Sequence, residues 1–266
     1  MKATKFFLMA VLAISILSCK KDVIDSYPDE LSSAKTSLLA SFDSLNADLA
    51  DAASELALDL SDQAKTRAKM LYLYNRSTFS LEFSYVSPEG IMQIIEPSEF
   101  YPQEGFDISE QDHIVKTFST KEPVLSNVFF AVEGFYAAVD IYPIVNDGQV
   151  LGGVTSLFFP EIILGRIMEP LLENQDFELW VMEKGGTIIY NQDVEEIGLN
   201  IFTDPLYEPF PEIITAAEKI AAEDHGETTY SFYQTGTDVE VVKQTYWITC
   251  KINDNEWKLI WVKPIS

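Results

Sequence analysis

The sequence predicts an α+β chain: a long N-terminal amphipathic helix followed by two modules, each built on a five-stranded antiparallel sheet. Three observations predict it. From Ser33 to Ser77 apolar residues recur at three- and four-residue spacings, with no glycine or proline, which is the period of a helix with one buried face. After Arg76 the period drops to two, the alternation of half-buried strands. The hairpin pattern around Gly90 then returns around Gly186, where Phe177-Glu178-Leu179 repeats Leu81-Glu82-Phe83.

The first residues are an address rather than a fold. Lys2 and Lys5 precede an apolar run from Phe6 to Leu17, the charge and hydropathy profile of a secretory signal peptide. The run is shorter than the roughly 20 apolar residues a spanning helix needs. Ile16-Leu17-Ser18-Cys19 resembles the bacterial lipobox, and Lys20-Lys21-Asp22 turns polar directly after it. The resemblance implies cleavage after Ser18 and acylation of Cys19, giving a signal peptide over 1–18 and a lipid-anchored tether over 19–32. Acyl chains at about 0.8 kcal/mol per buried CH₂ hold a protein on a membrane.

The helix is expected over 33–77. Leu38, Leu39, Phe42, Leu45, Leu49, Ala52, Leu56 and Leu60 form its stripe, with Met70 to Tyr74 continuing it or starting a second helix. A coiled-coil seam that pairs two copies is the other use of such a stripe. The first module is expected over 78–165. It starts with strand-forming residues from Thr78 to Val86, the turn Ser87-Pro88-Glu89-Gly90 and a second strand from Ile91 to Ile95. An irregular stretch, 96–121, leads to strand-like runs at Val124–Val132, Phe135–Val145 and Gln149–Phe159, the last two joined by the hairpin signal Asn146-Asp147-Gly148. Pro160 opens a helix, a position where proline is tolerated. The second module, 166–266, repeats the order: strands at 177–182 and 187–190, a helix at 211–222, and strands at 227–234, 239–252 and 257–262.

This order resembles the double Cache domain, the PAS-like extracytoplasmic sensor of prokaryotic receptors. The segments that carry the likeness are Tyr85-Val86-Ser87-Pro88-Glu89-Gly90, Gly105-Phe106-Asp107-Ile108-Ser109, Lys121-Glu122-Pro123-Val124-Leu125-Ser126, Gly186-Thr187-Ile188-Ile189-Tyr190 and Glu196-Ile197-Gly198-Leu199-Asn200-Ile201-Phe202. The resemblance implies that the first, membrane-distal module holds a ligand between its sheet and the crossing loop and helix, here Tyr101–Phe118 against the strands from Val124 to Phe159. Amino-acid-binding members carry an arginine after the Asp-Ile segment; this chain has Glu110-Gln111-Asp112-His113, and no arginine between Arg76 and Arg166. The aspartate those members carry on the final strand falls on Leu157. The ligand-binding candidates are therefore Gln111, His113, Phe129, Tyr136 and Asp140, and the expected ligand is an uncharged or cationic small molecule.

A formal charge of −24, two units more negative once Lys2 and Lys5 are cleaved away, argues against nucleic acid, whose binders need a basic face. With Cys19 acylated, Cys250 has no intrachain partner and reads as a buried structural thiol. The histidines are His113 and His225, and no HExxH, GxSxG, P-loop or GxGxxG pattern occurs. Asp107, Glu110, Asp112 and His113 lack EF-hand spacing and read as a solvated acidic loop. The chain is thus expected to be a non-enzyme without cofactor or metal. It ends after its last strand, so the expectation is a sensory lipoprotein without an output domain that works with a separate membrane receptor or transporter and pairs along the 33–77 helix. The alternative is a structural or protein-interaction lipoprotein whose PAS-like pocket is filled by its own side chains.

Overall fold

The computed structural model describes residues 27–265; the expected signal peptide and Cys19 lie outside the described residues. Helix α1, Asp29–Leu56, buries Leu31, Ala34, Leu38, Phe42, Leu45, Leu49, Ala52 and Leu56 on one face. The helix starts at Asp29, inside the expected tether of 19–32. The stretch expected as helix over 33–77 is two helices, one of the two alternatives its spacing left open, with the second starting at Gln63 rather than Met70. The Asp59 carboxylate accepts the Ser61 N–H at 3.0 Å. Asp62 then accepts from Ala64 N at 3.0 Å and Lys65 N at 3.2 Å, capping α2, Gln63–Arg76. Short acidic side chains that capture backbone N–H groups favour a cap over an unbroken helix. The chain reverses there, and Arg76 pairs with Asp48 of α1 at 2.8 Å.

The first sheet joins β1 (Ser80–Val86), β2 (Met92–Glu96), β3 (Val124–Leu125), β4 (Phe129–Phe130), β5 (Tyr136–Asn146) and β6 (Gln149–Phe158) in the order β2-β1-β6-β5-β3, with β4 also on β5. Helix α3, Asp112–Thr120, crosses one face. After α4, Pro160–Leu172, the second sheet joins β7 (Glu178–Glu183), β8 (Ile188–Tyr190), β9 (His225–Tyr233), β10 (Glu240–Ile252) and β11 (Asn255–Pro264) as β8-β7-β11-β10-β9, with α5, Pro211–Ala222, packed on β9. Both sheets are antiparallel and share one strand order.

The first sheet has six strands because the expected run Val124–Val132 divides. Ser126 N–H donates to Val139 O, and Val139 N–H donates to the Ser126 hydroxyl, each at 2.8 Å. Val128 N–H instead leaves the ladder to donate to the Glu183 carboxylate of the second module at 2.7 Å.

The modules repeat beyond strand order. Gly90 O accepts the Ile108 N–H, and Gly186 O accepts the Ile201 N–H, each at 2.9 Å. Gly105 N–H donates to Met92 O at 2.7 Å, and Gly198 N–H to Ile188 O at 2.8 Å. Each edge hairpin is thus closed by an equivalent Gly-x-x-Ile loop. Gly90 has φ +82°, and a Cβ there would stand 2.4 Å from Ser109 Cα, so only glycine fits.

Helix α1 lies against both sheets. Phe42 meets Phe158 of the first sheet at 5.7 Å and Trp257 of the second at 5.5 Å between ring centroids. The apolar stripe is spent on the chain's own core, so pairing through α1 would use its polar face.

Candidate functional site

Two spaces meet under α3. The outer one is an open cleft of about 790 Å³ at the junction of the modules, walled by Glu110–His113 and Lys116, by Val124–Phe129, and by Lys184, Gly185 and Asp254–Glu256. Both cleft lysines are engaged: Lys116 with Asp254, and Lys184 with Glu256 at 3.3 Å. Glu110 and Asp112 have no basic partner among the described residues.

The inner space is a chamber of about 20 Å³ between the first sheet and α3, room for about one water. Its floor is Glu82 and Ser84 of β1, Val139 of β5, and Thr155 and Leu157 of β6; its roof is Ile108, Gln111 and His113; Met92, Phe129, Val132 and Glu133 close the sides. Gln111, His113 and Phe129 line both spaces. They form the partition between cleft and chamber, with the His113 and Phe129 rings 5.0 Å apart.

Polar and apolar side chains share the chamber lining, and none of them is lysine or arginine. Ser84 and Thr155 hydroxyls share a hydrogen bond of 2.5 Å. Glu82 is 2% exposed, and its Oε2 has no hydrogen-bond partner. Burial, with Glu133 nearby adding negative charge, pushes the Glu82 carboxyl well above the usual carboxylate range. Burial likewise raises Glu133. Burial also lowers His113 to about 4, so its imidazole is neutral near pH 7.

The sequence candidates separate accordingly. Gln111, His113 and Phe129 come together at the partition. Tyr136 does not: it is 68% exposed and packs edge-on against Phe130 at 5.3 Å. Asp140 does not either. In β5 the residues Ala137, Val139 and Ile141 join the core under α3, whereas Ala138 and Ile144 join the core against α1. Asp140 shares the face of Ala138, because strand side chains alternate. Its carboxylate accepts from Asn253 Nδ2 at 2.7 Å, and Asn46 of α1 donates to Asn253 Oδ1 at 3.3 Å. Both faces of β5 are covered, so its run does not alternate and does not mark which side a polar residue takes.

Sequence reasoning missed Glu82 as a chamber residue. The signal was present: a glutamate between two apolar residues, at the position that Glu178 repeats.

Residues 40–160 match a family described as HK/GC/Chemotaxis protein-like, sensor domain. Among solved structures, an extracellular ligand binding receptor from Desulfohalobium retbaense superimposes with a TM-score of 0.75 at 26% identity, over 89% of this chain and 40% of that one. This chain therefore spans well under half of that receptor's length. The ligand binding domain of a Pseudomonas aeruginosa amino acid chemoreceptor, in complex with GABA, gives 0.64 at 15% identity over 88% and 96% of the two chains. The periplasmic sensory domain of a Campylobacter jejuni chemoreceptor gives 0.61 at 12%, over 89% and 93%. Comparison with curated proteins finds no match.

Proposed function

We propose, from the double Cache fold of this chain and its sensor-domain match over residues 40–160, that it is an extracytoplasmic small-molecule-binding sensory protein. Its ligand occupies the junctional cleft and reaches one polar group past the partition into the inner chamber of the first module. The observation that carries this is the partition: Gln111, His113 and Phe129 separate an open cleft from a buried chamber whose carboxylate lacks a partner. Buried polar groups without partners are costly, and a ligand that supplies the partner recovers that cost. Acylated Cys19 anchors the protein, and the bound state passes to a separate membrane receptor or transporter. Among the described residues no helix is long and apolar enough to cross a membrane.

A thermal-shift screen of small organic ligands tests the binding. A ligand at 100 times its Kd stabilises by about 2.7 kcal/mol, and His113→Ala should abolish that shift. A screen in which amines, alcohols, sugars and organic acids all leave Tm unchanged rejects it. That result favours a structural or protein-interaction lipoprotein, a reading supported by the small chamber. Cys19→Ser should release folded protein from the envelope; a mutant that stays membrane-bound rejects the anchor.

A further inference from the structure

The two modules give one position opposite fates. Glu82 lies across from Leu157 in the β1–β6 ladder, and Glu178 lies across from Val262 in the β7–β11 ladder. Register makes them equivalent, as the Gly90 and Gly186 turns already imply. Glu178 is satisfied from within: Lys243 Nζ donates to its Oε2 at 2.8 Å and Thr235 Oγ1 to its Oε1 at 2.7 Å. Lys243 is itself 3% exposed, a cation spent inside the module.

The residue equivalent to Lys243 follows from the neighbouring ladders. Thr245 faces Val262 and Val139 faces Leu157, so two residues earlier Lys243 corresponds to Ala137. Across the next ladder Lys243 faces Tyr230, while Ala137 faces Phe129 of the partition. Ala137 is fully buried on the face of Val139. The first module therefore has the carboxylate but an alanine where the second module has the lysine that pairs with it.

We propose that a ligand ammonium group takes the place in the first module that Lys243 Nζ holds in the second, pairing with Glu82 and lying beside Phe129. This deepens the binding reading above and rests on it. The groups facing the position are Glu82 and Glu133, the neutral His113, and the Ser84–Thr155 hydroxyl pair. All of them accept hydrogen bonds or tolerate a cation, and none repels one. Burial raises the Glu82 carboxyl well above the usual carboxylate range; pairing with an ammonium ion favours the ionised form and draws protons off it, so binding should tighten as pH rises.

The test uses purified full-length processed protein and calorimetric titration with n-alkylammonium chlorides of one to four carbons. Alcohols and carboxylates of equal length serve as controls. The expected result is ammonium binding with buffer-dependent proton release, weakened at least about tenfold by Glu82→Gln, the size of a lost charge-assisted hydrogen bond. Ala137→Lys supplies the missing lysine: it should raise Tm, abolish ammonium binding, and lose its Tm gain when combined with Glu82→Gln. If Ala137→Lys fails to fold, the Glu82→Gln titration decides. Binding of the alcohols or carboxylates with no response to ammonium, or ammonium binding unchanged in Glu82→Gln, overturns this inference and leaves the binding function standing. Silence across all three series in the wild type overturns this inference too, and the binding function is then decided by the thermal-shift screen above.

Discussion

Phe42 is where one side chain holds two sheets, with its ring against Phe158, Phe79 and Trp257 and only 1% exposed. Truncating it leaves a cavity bordered by both modules and the helix between them, which cannot all collapse inward together. Phe42→Ala is therefore expected to cost about 3–5 kcal/mol, read as a lower urea midpoint at unchanged slope. Asp140 is the electrostatic counterpart. It is fully buried, and burial pushes its carboxyl up to about 8 against the opposing help of Asn253. The folded state then holds a proton that the unfolded chain releases near pH 3.9, so the contribution is fully present below that value and lost as pH climbs toward 8. Asp140→Asn keeps an oxygen acceptor for Asn253 and has no charge to bury. Its stability relative to wild type should rise from pH 4 to 8 and level off above. Urea unfolding at pH 4.5 and 8 with equal differences would contradict the assignment.

At the scale of elements, the β10–β11 turn does more than reverse the chain. Asn253 reaches Asp140, Asp254 accepts the Leu125 N–H at 3.2 Å, and Asn255 Nδ2 donates to the Leu125 and Ser126 carbonyls, each at 3.1 Å. The second module thus secures the strands that wall the cleft. Asn255→Ala should speed amide exchange at Leu125–Phe130 while the β7–β11 ladder stays protected; unchanged exchange there would deny the turn this role. The edge hairpins predict a contrast between glycines. A Cβ at Gly90 meets Ser109 backbone, whereas at Gly105 (φ +92°) it meets open space. Both substitutions carry the strain of a left-handed backbone, about 1–3 kcal/mol. Gly90→Ala adds the clash and should lower Tm further than Gly105→Ala. Such local features were legible before the fold: periodicity marked the helices and strands, and the Gly90–Gly186 match marked the duplication. Less legible was anything set by parity or by distant chain. Asp140 faces away from the chamber because β5 is covered on both sides. The 124–132 strand breaks because Glu183, distant in sequence, takes the Val128 N–H. Glu82 was visible as a repeat of Glu178, but its missing partner emerges only from the ladders that equate Lys243 with Ala137.

Across the whole molecule, buried titratable groups pull stability in opposite directions. His113 is held neutral with its pKa lowered to about 4, so its contribution is present above the ordinary 6.5 and is lost as pH falls through 4. Asp140, raised to about 8, and Glu183, raised to about 7 by burial despite the bond from Val128, act the other way, losing their contribution as pH climbs from about 4 through those values. Two acids outweigh one histidine, so these groups should make stability decline from about pH 5 toward pH 8. The formal charge of −24 predicts a decline in the same direction by self-repulsion. Salt separates the two causes. Repulsion between surface carboxylates fades at about 0.5 M salt, where the screening length is only a few Å, while the cost of ionising a carboxyl inside the fold does not. The fall in Tm between pH 6 and 8 should thus persist at high salt and shrink in Asp140→Asn combined with Glu183→Gln, since glutamine can still accept the Val128 N–H. A fall that salt removes, and that the double substitution leaves intact, would assign the decline to the acidic surface and show that these two interior acids ionise at little cost.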